Sequence, residues 1–227
     1  MLVVKPVPRG TLGFDTATKL TPALAAKFRG IGYRFVLRPL SIGIGADPGD
    51  LDATEVRDIT TAGLGLMWYQ HVRYPGWSPT GAMGRMDATN AVAHAQAAGI
   101  PAGISGWCDL EGVSESAGAR DIMDYLRAWH DVVAHAGYVP GLYVGANSGL
   151  DAAQLGQAPF NRCWESCSRV PDVAGRGYVM HQVRCDFGVF GVQIDRDETQ
   201  ANRQGELPIM LVDCEAYLAA MEREGDN

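Results

Sequence analysis

The sequence predicts an α/β fold, a (β/α)8 TIM-type barrel with reduced helices in its second half. Three observations predict it. Eight short apolar runs recur along 227 residues, helical patterns separate the earlier ones, and three of the runs end in acids on the same predicted side. Strands alternating with helices imply parallel strands joined by right-handed crossovers. A chain of this length suits one barrel. An open doubly wound sheet is the alternative, but no Gly-rich dinucleotide fingerprint follows the first strand.

The elements follow in order. "TLGFD" (11–15) reads as a strand, and "TPALAAKFRGIG" (21–32) as a helix with Thr21 as N-cap and Pro22 at its first position. "YRFVLRPL" (33–40) is the second strand, and 51–63 the second helix, closed by Gly63. "LGLMWYQ" (64–70) is the third strand, leading into the aromatic loop "HVRYPGWSP". An Ala-rich helix spans 81–99 and the fourth strand 102–109. The clearest helix is 116–138, where Ile122, Leu126, Trp129 and Val133 recur at spacings of three and four. Then come strand 141–145, a short helix near 151–157, and strands 162–166, 178–183 and 191–195. A last helix is expected at 213–224. The whole is expected to be one domain, 1–227, with its barrel core at 11–200.

Composition narrows the function. The chain is 47% hydrophobic and 20% charged, with a net charge of −7 and no basic stripe, which argues against a nucleic-acid partner. No run approaches the ~18 apolar residues of a membrane span, and "MLVVKPVPRG" lacks the pattern of a signal peptide. A monomer made in the cytoplasm is expected, with no membrane insertion. If it acts outside its cell of origin, lysis or a dedicated export system releases it. The five cysteines (Cys108, Cys163, Cys167, Cys185 and Cys214) are scattered and odd in number. They are expected to be reduced and mostly buried, with one disulfide or a metal as the lesser readings.

Side chains alternate across a strand. In 104–111 the set Ser105, Trp107, Asp109 and Glu111 is expected to point into the barrel, and Ile104, Gly106, Cys108 and Leu110 outward. Asp15 and Asp195 take inward positions on the first and last strands, which are neighbours in a closed barrel. Four carboxylates then meet at the mouth, where barrel enzymes keep their sites. Their mutual repulsion should raise at least one pKa. A neutral acid beside an ionised one is what glycoside hydrolysis requires. The candidate catalytic residues are therefore Glu111, Asp109, Asp15 and Asp195. Single strand-end acids also cap helices or pair with arginines such as Arg38. Trp107, Tyr143, Trp68, Gln182, Trp164 and Tyr69 are the candidate substrate-binding residues, the rings for stacking on sugars. Trp129 is expected in the core, His181 outward and structural, and His71 near the mouth. No metal or cofactor is expected.

"GFDTAT", "GIPAGISGWCDLEG", "GYVPGLYVGAN", "RCWES", "YVMHQV" and "GVQIDRDET" resemble the barrel strands of glycoside hydrolase family 25 lysozymes. They are more similar still to the glycoside-hydrolase-like domain of unknown function 1906. The resemblance runs from about residue 11 to 200. It implies a cofactor-independent muramidase of the endolysin type, cutting the β-1,4 bonds of peptidoglycan during cell wall degradation. Glu111 would be the general acid. Asp109 would be the second catalytic carboxylate or an orienting group, and Asp15 and Asp195 would complete the acidic pocket. Two alternatives stand beside it: a non-catalytic carbohydrate-binding or structural barrel, and a phosphodiesterase-type hydrolase using the same acids around Mg²⁺ or Ca²⁺.

Overall fold

The computed structural model describes residues 1–225; the last two residues of the expected domain, 226 and 227, lie outside the described residues. Ten strands form one sheet: β1 (Leu2–Pro6), β2 (Leu12–Asp15), β3 (Phe35–Leu40), β4 (Gly65–Gln70), β5 (Ser105–Leu110), β6 (Val139–Val144), β7 (Arg162–Glu165), β8 (Met180–Val189), β9 (Val192–Thr199) and β10 (Ile209–Asp213). Strands β2 to β9 make the barrel, in the order β4-β3-β2-β9-β8-β7-β6-β5, and pairing of β4 with β5 closes it. The eight runs read from sequence are these eight strands.

Helices α1 (Pro22–Gly30), α2 (Ala53–Thr61), α3 (Gly81–Ala97), α4 (Ala119–His135) and α5 (Ala152–Gln157) follow the first five barrel strands. Among the described residues, no helix separates β7, β8 and β9. The local signals work as expected. Thr21 caps α1 through Leu24 N–H, with Pro22 opening the helix. Gly63, at φ +82°, turns the chain after α2. Helix α4 buries Ile122, Leu126, Trp129 and Val133 together with Tyr125. It packs closely on α3, where a Cβ at Gly84 would stand 2.2 Å from Tyr125 O.

The expectation of eight parallel strands is corrected at the last. Strand β9 runs antiparallel to both β8 and β2. The cause is local. Val189 and Val192 are paired across a two-residue loop, Phe190-Gly191, and both loop residues have positive φ (54° and 79°). Positive φ at both centres is what a type I′ hairpin requires, and two residues are too few for a parallel crossover.

Two strands went unread. Strand β10 meets the lower half of β4 at Leu211–Leu66, and Ser105 Oγ of β5 accepts Ile209 N–H at 3.0 Å. Strand β1 then pairs with β10 from Leu2–Asp213 to Pro6–Ile209. Helix α6 (Cys214–Gly225) closes the described chain, as expected near 213–224.

The cysteine expectation is also corrected. Cys167, in the loop after β7, forms a disulfide with Cys185 on β8, their Cα atoms 6.2 Å apart. Cys108 and Cys163 are buried free thiols, and Cys214 is free and half-buried.

Candidate active site

The inward faces of the strands converge on a cavity of about 170 Å³ at the barrel mouth. Its lining includes Asp15 from β2, Tyr69 from β4, Asp109 and Glu111 at the end of β5, Tyr143 from β6, Trp164 from β7, Gln182 from β8 and Asp195 from β9. All four candidate catalytic acids are thus brought together. Asp195 arrives there from the opposite direction to the one expected. It lies in the upper half of a strand that descends from the mouth, as the direct Cα partner of Asp15.

Gln182 ties this cluster together. Its Nε2 donates to Asp15 Oδ2 at 2.9 Å and to Asp195 Oδ2 at 3.0 Å. Its Oε1 accepts from Tyr143 OH at 3.0 Å and from the Cys167 N–H at 3.2 Å. The Asp186 N–H donates to the other oxygen of Asp195 at 2.7 Å. On the far side, Trp77 Nε1 donates to the Glu111 carbonyl at 2.8 Å. Gly112 then turns the backbone at φ +63°. The Glu111 side chain lies against Gly145, where an added Cβ would stand 2.3 Å from its Oε2.

Two of the ten candidates stand outside the cavity. Trp68 is corrected: it points outward and is fully buried against Trp129 of α4 and Tyr138, at centroid distances of 6.2 and 5.5 Å. Tyr69, the next residue, takes the inward position instead. Trp107 does point inward, but it is fully buried below the mouth against Trp164 at 5.8 Å, filling the barrel. Trp164 itself forms the cavity floor, edge-on to Tyr143 (4.5 Å) and Tyr69 (6.2 Å).

Sequence reasoning also missed Asp197. It is fully buried two residues below Asp195 on the same face of β9, and accepts Trp164 Nε1 at 2.8 Å. The signal was the spacing in "DRD", obscured by the assumption that β9 ended at 195.

The electrostatics follow from burial without cations. Arg38, the candidate partner for a strand-end acid, faces outward instead. It is fully buried, pairs with Glu55 of α2 at 2.7 Å and donates to Thr16 O. Burial and then the Asp195 charge push Asp15 up to about 8, against the Gln182 hydrogen bond. Burial pushes Asp109 well above the usual carboxylate range, with Glu111 and Asp15 adding to it. Glu111 is raised by burial and then Asp195, and Asp195 by burial despite the Asp186 N–H. Buried Asp109 Oδ1 finds no hydrogen-bond partner. The mouth therefore retains protons at neutral pH, as the clustering of acids predicts.

Smaller features lie nearby. Asp47, Asp50 and His71 offer ligand atoms within 4.8 Å of one another, whereas the mouth carboxylates are not such a group. His71 Nε2 pairs with Asp50 Oδ1 at 2.5 Å, and Ser41 Oγ donates to Asp50 Oδ2 at 2.6 Å. Two further cavities share walls with the central one. A cavity of about 240 Å³ shares Asp15, Tyr69 and Asp195, and one of about 260 Å³ shares Val72 and Glu111.

An eight-stranded α/β barrel of this topology, with carboxylates gathered at its mouth, is a glycoside hydrolase-like protein. The chain belongs to the Rv2525c-like, glycoside hydrolase-like domain family, whose model matches residues 26–199. No curated protein sequence matches it. Among solved structures, a B. stearothermophilus protein is similar at a TM-score of 0.66 and 23% identity, covering 86% of this chain and 97% of that one. The Tat-secreted protein Rv2525c of Mycobacterium tuberculosis, in complex with L-tartrate, is similar at 0.64 and 19% identity, with 85% and 96% covered. A family GH25 lysozyme from Aspergillus fumigatus is similar at 0.51 and 15% identity, with 86% and 95% covered. These likenesses establish the shared barrel.

Proposed function

We propose that this protein is a peptidoglycan hydrolase, cutting β-1,4 glycosidic bonds as an N-acetylmuramidase. The observation that carries the reading is the position of Glu111. It is a half-buried acid with raised proton affinity, standing between the central cavity and the adjoining cleft, in one cavity with Asp15 and Asp195. Glu111 is the general acid that protonates the leaving glycosidic oxygen. Asp109 serves as the second catalytic carboxylate or orients the substrate. Asp15 and Asp195 complete the acidic pocket around the oxocarbenium-like state.

Cavities adjoin the central one on both its Asp15–Asp195 and its Glu111 sides, which suits an extended glycan strand, and Tyr69, Tyr143, Trp164 and Gln182 supply its contacts. The lysozyme likeness of the barrel supports the same substrate class. No cofactor enters this chemistry. The protein works as a single-domain monomer, made in the cytoplasm and delivered to the wall by lysis or export. The Cys167–Cys185 disulfide supports an oxidising place of action.

The test is digestion of purified sacculi by the wild type and by Glu111→Gln, with and without chelator, read by mass spectrometry. Chelator-resistant release of reducing N-acetylmuramic acid ends, lost in the variant, is expected. Absence of release despite a folded protein would shift the reading to a glycan-binding barrel. Activity lost to chelator would shift it to a metal-dependent hydrolase.

A further inference from the structure

Four of the five acids at the mouth have a place in the proposed catalysis. The fifth, Asp197, is buried more completely than any of them, at 0% exposure. It lies on β9 between its Cα partners Gly13 of β2 and Gln182 of β8. Oδ1 is satisfied by Trp164 Nε1, whereas Oδ2 is enclosed and has no donor. A buried carboxylate oxygen without a donor is costly, and the group escapes that cost by holding a proton.

The surroundings indicate which acceptor that proton meets. Asp15 and Asp197 are diagonal neighbours on the inward face of the β2–β9 ladder, one pairing step from Asp15–Asp195 to Gly13–Asp197, close enough for their carboxyls to meet. Asp195 stands above it on β9, Asp109 and Glu111 lie across the mouth on β5, and the neutral Trp164 and Gln182 face it from β7 and β8. Among the described residues, no cation joins them. Arg196, next in sequence, points outward over the rings of Tyr33 and Phe187, and Arg38 is committed to Glu55. Two adjacent carboxyls, one enclosed and one lining a cavity, with no cation between them do not ionise together. Asp15 opens on the cavity and already accepts from Gln182, so of the two carboxyls it is the one that ionises first. The proton belongs on the enclosed Oδ2 of Asp197.

We propose that Asp197 is a positioning residue whose neutral carboxyl donates a hydrogen bond to Asp15, orienting that carboxyl towards the substrate cavity and favouring its ionised form. Asp15 is then held from both sides, by the Gln182 amide and by the Asp197 O–H. A charge-assisted O–H···O⁻ bond of this kind is among the stronger hydrogen bonds. An asparagine at 197 supplies a permanent donor in the same place. A leucine supplies none.

The kinetic arm of the test rests on the glycosidase reading above, and the spectroscopic arm does not. Asp197→Asn is expected to keep sacculus digestion within about threefold of wild type. Asp197→Leu is expected to lose at least about a hundredfold in kcat with little change in KM. In infrared spectra at neutral pH, Asp197→Asn should remove one protonated-carboxyl band. Carbon-13 detection of Asp15 should show it titrating higher in Asp197→Leu than in Asp197→Asn. Should Asp197→Leu not fold, Asp197→Asn alone decides. An unchanged band count, or loss of activity in Asp197→Asn as deep as in Glu111→Gln, would overturn the proposal. A wild type inactive on every sacculus would defeat the glycosidase reading alone, leaving the infrared band and the Asp15 titration to decide the role of Asp197.

Discussion

Asp15 and Asp195 face each other as direct partners across β2 and β9, and a single amide nitrogen, Gln182 Nε2, donates to both at 2.9 and 3.0 Å. Two like charges this close repel unless a donor or a proton lies between them. Gln182→Glu replaces that donor with a third carboxyl. The expected result is a folded protein destabilised by about 2–4 kcal/mol near neutral pH, and by less near pH 5, where protons replace the lost donor. Urea denaturation at the two pH values checks it. Equal destabilisation at both would remove the bridging role.

The raised acids set the sign of the pH dependence. Asp15, Asp109, Glu111, Asp195 and Asp197 all bind protons more tightly in the folded state than an ordinary carboxylate does. Their contribution to stability is full below about pH 4 and is lost as pH rises, through about 8 for Asp15. The loss is at most about 1.4 kcal/mol per pH unit for each proton retained. Asp50, Asp52 and Asp213 have lowered values, so their contribution is present above about pH 4 and lost below it. Unfolding free energy should therefore peak on the acidic side of neutrality and fall towards pH 8. A flat profile from pH 5 to 8 would contradict the proton-rich mouth.

The disulfide reaches the same hub. Cys167 N–H donates to Gln182 Oε1, and Cys167 is bonded to Cys185, three residues beyond Gln182. Reduction, or Cys167→Ser with Cys185→Ser, should cost on the order of 3 kcal/mol, the loop-closure scale for a link across 18 residues. It should also free the loop after β7 and loosen Gln182. A drop in melting temperature with reductant in the wild type, absent in the double variant, is the expected result.

The legible parts of this molecule are those whose signals are local. Thr21-Pro22, Gly63 and the Ile122, Leu126, Trp129, Val133 stripe each set an element through neighbours in sequence. Alternation along 104–111 was enough to bring Asp109 and Glu111 to the mouth. Two of the unread features depend on partners far away. Strand β1 pairs with a strand some two hundred residues later. Cys167 meets Cys185 only because β8 returns beside the loop after β7. The reversal of β9 was encoded locally, in Phe190-Gly191, yet a phenylalanine at positive φ is an uncommon turn residue and did not read as one. That single turn hid Asp197, because residues beyond Asp195 were taken to leave the barrel. Trp68 failed for a different reason. Trp68 and Tyr69 are neighbours on β4, and alternation lets only one of them, Tyr69, face the cavity.

Gly145 offers the sharpest separation of site from scaffold. It follows β6 directly, and the Glu111 side chain lies flat against it. An added methyl would stand 2.3 Å from Glu111 Oε2 and 2.4 Å from Glu111 Cβ, nearer than any real contact allows. The position is not one of positive φ, so alanine strains no backbone there. The cost instead falls on Glu111 and Tyr143: the Glu111 carboxyl must turn away, and because its Cβ is fixed to the backbone the end of β5 must shift as well. Gly145→Ala should therefore lower stability by about 1–3 kcal/mol. Its catalytic cost should be a hundredfold or so in kcat, the scale of a misplaced general acid. Melting temperature and sacculus digestion, measured on the same preparation, check both halves. Full activity in Gly145→Ala would mean that the orientation of Glu111 against this backbone does not matter to the chemistry.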